Sequence, residues 1–139
     1  MRVVIDTVVF VRALMNPRGL WGQLLFDRAD EYAIIVSPEI AQEVLEVINR
    51  PKIRRRLSVA QDIPPNEQIL GRLQDAEVVE PRNRIDVCRD PNDNKFIECA
   101  VEGRADYIIS EDADLLEIKA YEGIRIVSAE EFLNLLDEK

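Results

Sequence analysis

Acidic side chains are the groups in this chain best placed to do chemistry. The apolar run Arg2-Val3-Val4-Ile5 ends in Asp6-Thr7, and Ala105-Asp106-Tyr107-Ile108-Ile109 ends in Ser110-Glu111-Asp112-Ala113-Asp114. A β-branched run that delivers an aspartate at its C-terminal tip places charge at the edge where open α/β sheets bind ligands. Asp93 opens a helical pattern, Asp93-Asn94-Lys95-Phe96-Ile97, aimed at the same edge. Glu39, Glu43 and Glu46 follow the second apolar run, and Glu39 and Glu43, four apart, share a helix face. Carboxylates gathered in this way repel unless a cation lies between them, and all-oxygen donors suit Mg²⁺ or Mn²⁺. Such ions orient and neutralise a phosphodiester and acidify a bound water. A lone aspartate after a strand equally fits a turn or a helix N-cap. The recurrence at matching tips is what favours a metal site for Asp6, Asp93 and Asp112, with Asp114 either an added acid or the cap of a helix over Leu115–Lys119.

What is missing narrows the chemistry further. The chain has no histidine, which removes Ser-His-Asp and Cys-His nucleophilic catalysis and His-bearing zinc sites. Cys88 and Cys99 lack metal-ligand spacing and read as reduced thiols, Cys99 on a buried helix face, although the sequence leaves a pairing between them open. The net charge of −9 makes general nucleic-acid affinity weak. The charge is uneven, however: Arg50, Lys52, Arg54, Arg55 and Arg56 form one basic run, and Arg82, Arg84 and Arg89 a looser one. An acidic metal site needs cations to hold the rest of a phosphate backbone, so Lys95, Arg54 and Arg55 are the expected nucleic-acid contacts. Glu111 is expected to be exposed.

These residues need a scaffold that brings them together. At 139 residues, 47% hydrophobic and 32% charged, the chain suits one folded domain over residues 1–139. No apolar run approaches the roughly 20 residues that span a bilayer, and the opening strand lacks signal-peptide architecture, so a cytoplasmic protein with no membrane association is expected. Strands are expected at Val3–Asp6, Tyr32–Ser37, Glu77–Val79, Tyr107–Ser110 and Arg125–Val127. Helical patterns lie between them: Val9–Met15; Leu20–Ala29 with Trp21 and Phe26 on its apolar stripe; Pro38–Asn49, capped by Ser37; Ile53–Leu57 and Glu67–Leu73 around a break at Asp62-Ile63-Pro64-Pro65; Asp93–Glu102, with Gly103 as C-cap; and Ala129–Leu136, capped by Ser128. Alternating strands and helices give βαβ crossovers, hence a three-layer α/β/α sandwich around a central parallel five-stranded sheet.

Taken in order, Val3-Val4-Ile5-Asp6-Thr7, Ser37-Pro38-Glu39-Ile40-Ala41-Gln42-Glu43-Val44-Leu45, Arg50-Pro51-Lys52, Asp90-Pro91-Asn92-Asp93-Asn94-Lys95-Phe96 and Ala105-Asp106-Tyr107-Ile108-Ile109-Ser110-Glu111-Asp112 resemble the motifs of PIN-domain proteins, including the VapC-type toxin ribonucleases. The resemblance covers nearly the whole chain. It implies a PIN-like fold and divalent-metal-dependent endoribonuclease activity on single-stranded RNA, as the toxin of a type II toxin–antitoxin pair. A small antitoxin protein is the implied partner, and a homodimer the implied assembly; Trp21 and Phe26 are expected in the core or in a dimer or antitoxin interface. The same resemblance assigns Asp6, Glu43, Asp93 and Asp112 as catalytic metal-binding acids, Asp114 as an auxiliary acid, and Thr7 and Ser110 as supporting hydroxyls. One position departs from the pattern: Val8 stands where the family usually has asparagine. That departure motivates a second expectation, a catalytically weakened PIN-fold module that binds RNA or protein. A receiver-like phosphoacceptor domain also places acids at strand tips, but no acidic pair follows the first strand and no lysine ends the last.

Overall fold

The computed structural model describes residues 1–57 and 65–138. The expected break at Asp62–Pro64 lies outside the described residues. Six strands form one sheet in the order β3-β2-β1-β4-β6-β5: β1 (Arg2–Ile5), β2 (Ala33–Val36), β3 (Glu77–Val78), β4 (Tyr107–Ile109), β5 (Ala120–Tyr121) and β6 (Ile124–Val127). All pairings are parallel except that of β5 with β6. The five expected strands are therefore joined by a sixth. It is a two-residue return before a tight turn, in which Glu122 and Gly123 take positive φ, and it is too short to show a period in the sequence.

The central strand explains the layering. Val3, Val4 and Ile5 are all essentially inaccessible. Successive strand residues point to opposite faces, so both faces of the sheet must be covered, as parallel sheets require. The helices are α1 (Thr7–Met15), α2 (Leu20–Gly22), α3 (Pro38–Ile48), α4 (Pro51–Leu57), α5 (Pro65–Gln74), α6 (Asn94–Glu102), α7 (Ala113–Ile118) and α8 (Ala129–Asp137). Helix α3 starts where Ser37 Oγ accepts from the Ile40 amide and Pro38 presets the first turn; Ile40, Val44 and Ile48 face the core. Ser128 and Glu131 close α8 with a reciprocal capping box. Helix α6 buries Phe96, Ile97, Cys99 and Ala100 against β1, β2 and β4. Both cysteines are free and buried, and burial pushes the Cys99 thiol up to about 12.

Two local expectations change. The helix read over Leu20–Ala29 tightens and loosens along its length: α2 passes into a π-helical turn at Gln23–Asp27 and then a 3₁₀ turn at Ala29–Glu31. Trp21 and Phe26 stay half-buried against the core. Gly103 does end α6, but with ordinary helical φ, and the left-handed residue is Arg104. Glycine is required at 103 for space: a Cβ there would lie 2.5 Å from Ile35 Cγ2.

The strand order places β1 between β2, which leads away on one side, and β4, which leads away on the other. This reversal is the topological switch point of the sheet, where a crevice opens beyond the carboxyl ends of the strands. A receiver-like sheet instead has its first strand between the second and third, so that reading is set aside. Among the described residues, no helix is long and apolar enough to cross a membrane.

Candidate metal and nucleic-acid site

Asp6 and Ser110 extend the adjacent tips of β1 and β4. Their amides continue the sheet, Asp6 N donating to Ile109 O at 2.9 Å and Ser110 N to Val127 O at 3.0 Å. Asp6 is 4% exposed and caps α1: one carboxylate oxygen accepts from the Val8 amide at 3.2 Å, and the other from the Ser110 hydroxyl at 2.8 Å. The same hydroxyl accepts from the Asp112 amide at 3.0 Å. One buried serine thus ties the two acid-bearing strand tips together. Burial raises the pKa of Asp6; the Ser110 and Val8 hydrogen bonds oppose the rise, and the charges of Asp112 and Glu43 add to it.

Asp112, not Asp114, caps α7, accepting from the Asp114 amide at 2.9 Å. Asp93 ends a 3₁₀ turn, Pro91–Asp93, and makes no capping bond to α6, which leaves its carboxyl free to meet Asp112. Burial pushes Asp93 up to about 7, and a hydrogen bond with Asp112 and the charges of Asp112, Asp6 and Asp90 reinforce the shift.

Glu43 is committed elsewhere. Thr7 Oγ1 donates to one carboxylate oxygen, and Lys95 Nζ donates to the other at 2.5 Å. Lys95 also donates to the Asn92 carbonyl at 2.7 Å and is only 8% exposed. The lysine expected from the sequence to touch RNA is therefore buried in an ion pair. Glu39 and Glu46 do not line the cleft, so Glu43 is the acid that α3 presents to it.

The cleft holds about 540 Å³. Asp6, Thr7, Glu43, Asp93, Lys95 and Asp112 line it; Val8, Val11, Val47 and Phe96 add apolar wall, and Arg12 and Arg50 a cationic rim. Sequence reasoning passed over Arg12, and it named Arg50 and Glu111 without placing them at the site. Exposed arginines carry no periodic signal, and only the fold brings Arg12 of α1 and Arg50, just after α3, to one mouth. Glu111 is half-buried, accepting from the Ala129 amide at 2.9 Å. Asp114, Arg54 and Arg55 do not line the cleft. The Asp114 carboxylate lies 3.7 Å from Arg89, Arg54 donates to Asn49 at 2.7 Å, and Arg55 lies along exposed α4.

The donors are all hard oxygens. Among the described residues, however, no three His, Cys, Asp or Glu side chains are disposed around one point as ligands. What fits a divalent cation is the Asp93–Asp112 pair with Asp6 beside it, since Mg²⁺ is commonly held by one or two carboxylates, waters and substrate phosphate.

Residues 2–114 match the model of the PIN domain. The chain belongs to the PIN-domain family. An uncharacterized protein of Methanocaldococcus jannaschii is 39% identical over 121 residues, covering 85% of this chain and 75% of the relative. The fold is similar to a chain in the crystal structure of VapBC2 from Rickettsia felis bound to a DNA fragment from their promoter, with TM-score 0.58, 12% identity, and coverage of 91% of this chain and 97% of that one. At that identity the likeness speaks for the fold. In this PIN domain the acids assigned from motif order converge on one cleft at the switch point, apart from Asp114, while Thr7 and Ser110 hold two of them in place.

Proposed function

We propose that this PIN domain is a divalent-metal-dependent endoribonuclease that cleaves single-stranded RNA, acting as the toxin of a type II toxin–antitoxin pair with a small antitoxin as its partner. The observation that carries the reading is the convergence of Asp93 and Asp112 with buried Asp6 on one cleft at the carboxyl ends of β1 and β4. Asp6, Asp93 and Asp112 would hold Mg²⁺ or Mn²⁺, which when bound supplies charge neutralisation at the phosphate and a more acidic water. Ser110 fixes the separation of the two strand tips. Arg12 and Arg50 hold flanking phosphates, and Arg54 and Arg55 extend that cationic path along α4. The apolar wall of Val8, Val11 and Val47 keeps bulk water from one side of the cleft and strengthens every charge interaction inside it. Purified protein with Mn²⁺ should cut single-stranded RNA, and Asp6→Asn should abolish the cut; undiminished cleavage by Asp6→Asn would exclude this cleft.

A second reading, a weakened module that binds RNA or protein, is favoured by two observations. Val8 offers no hydrogen bond where the family usually has asparagine, and Glu43 is occupied by Lys95. Mn²⁺ titration separates the two readings. A ligand of the native state raises the melting temperature, so no rise at millimolar Mn²⁺ favours the module.

A further inference from the structure

The ion pair inside the cleft has a consequence for how many cations the site can take. Four acids, Asp6, Glu43, Asp93 and Asp112, line one crevice, and a buried ammonium already lies among them. Lys95 is not a surface lysine that happens to reach inward. It is nine-tenths buried, its Nζ is held by the Asn92 carbonyl, and it lies 5.3 Å from the Phe96 ring centroid. Glu43 has one carboxylate oxygen on that ammonium and the other on the Thr7 hydroxyl, so neither faces Asp93 and Asp112 unencumbered. Two-metal nucleases need carboxylates on both sides of the reacting phosphate. Here the carboxylate on the α3 side is neutralised by the chain's own cation.

We propose that Lys95 fills the place of a second metal ion, so that this site binds one divalent cation per chain and Glu43 serves as the counter-ion of Lys95, not as a metal ligand. The proposal rests on the ribonuclease reading above and deepens it. Lys95 acts as a positioning residue: it lies two residues after Asp93, and its bonds to Asn92 and Glu43 pin the 3₁₀ turn carrying Asp93 to helix α3.

Mn²⁺ stoichiometry tests the inference without recourse to activity. Calorimetric titration and the electron paramagnetic resonance signal of free Mn²⁺ should show one ion bound per wild-type chain and one in Lys95→Arg. Lys95→Met should admit a second, weaker ion, because Glu43 loses its cation. If Lys95→Met does not fold, Glu43→Gln carries the test: its Mn²⁺ affinity should stay within about threefold of wild type, whereas Asp93→Asn should lose at least about tenfold. A purely structural role for Lys95 would lower stability and leave stoichiometry unchanged in Lys95→Met, which would overturn the inference. Two ions in the wild type, or a tenfold loss in Glu43→Gln, would overturn it while leaving the ribonuclease reading intact. No Mn²⁺ bound by the wild type would remove both.

Discussion

Replacing Asp93 by asparagine should stabilise the metal-free protein above neutral pH, although it removes a proposed metal ligand. In the native state Asp93 holds its proton to about 7, because it is partly buried and faces Asp112; in the unfolded chain an aspartate ionises near 3.9. Between those values the native state carries the extra proton. The stability this contributes is present below about pH 4 and is lost as pH rises through about 7. Three pKa units correspond to about 4 kcal/mol at 1.36 kcal/mol per unit. Asp93 is only half-buried, so solvent screening leaves roughly 1–2 kcal/mol. For a domain of this size that is roughly 3–10 °C in melting temperature. The chain contains no histidine, so no imidazole titration obscures the window. Thermal melts in EDTA from pH 5 to 8 should fall for the wild type and fall less for Asp93→Asn, in which only Asp6 keeps a raised pKa, so that the variant melts higher at pH 8. Millimolar Mn²⁺ should restore the wild type and leave the variant unmoved. A wild-type melting temperature that is flat over this range, or an Asp93→Asn protein that melts lower at pH 8, would refute the reasoning.

Other perturbations have equally definite outcomes. Ser110→Ala removes the hydroxyl that serves both Asp6 and the Asp112 amide, so urea unfolding should show a loss of about 1–3 kcal/mol. Gly103→Ala drives a Cβ against Ile35, and the same assay should show a cost of about 1–3 kcal/mol with secondary structure intact by circular dichroism. Arg12→Ala combined with Arg50→Ala, made in an Asp112→Asn background so that RNA survives, should weaken binding. The slope of log affinity against log salt should become shallower by about 1.4, at about 0.7 per lost contact to a single strand.

The sequence reveals the parts of this fold that depend on local pattern. Val3–Ile5 and Ile108–Ile109 are apolar, β-branched and each followed by a polar tip, so both strands and the direction of their acids are legible. Ser37-Pro38 and Ser128 mark helix starts by hydrogen bonding that any sequence reader can anticipate. Family motif order then separates Glu43 from Glu39 and Glu46, which a helical wheel cannot do. What remained hidden depends on long-range geometry. Lys95 and Glu43 are 52 positions apart, and nothing near either residue says that one will bury its charge on the other. Asp112 displaced Asp114 as the helix cap because a two-residue shift in a short helix costs little in pattern. The two-residue strand β5 and the π-turn after Gly22 are too short to announce themselves.

The central claim is that Asp6, Asp93 and Asp112 form a metal-dependent RNA-cleaving centre. Incubation of end-labelled single-stranded RNA with wild-type protein and with Asp112→Asn, each in Mn²⁺ and in EDTA, tests it most directly. Cleavage by the wild type in Mn²⁺ alone, and by neither protein otherwise, is the predicted result. Cleavage that persists in EDTA, or that Asp112→Asn retains at the wild-type rate, would contradict the account.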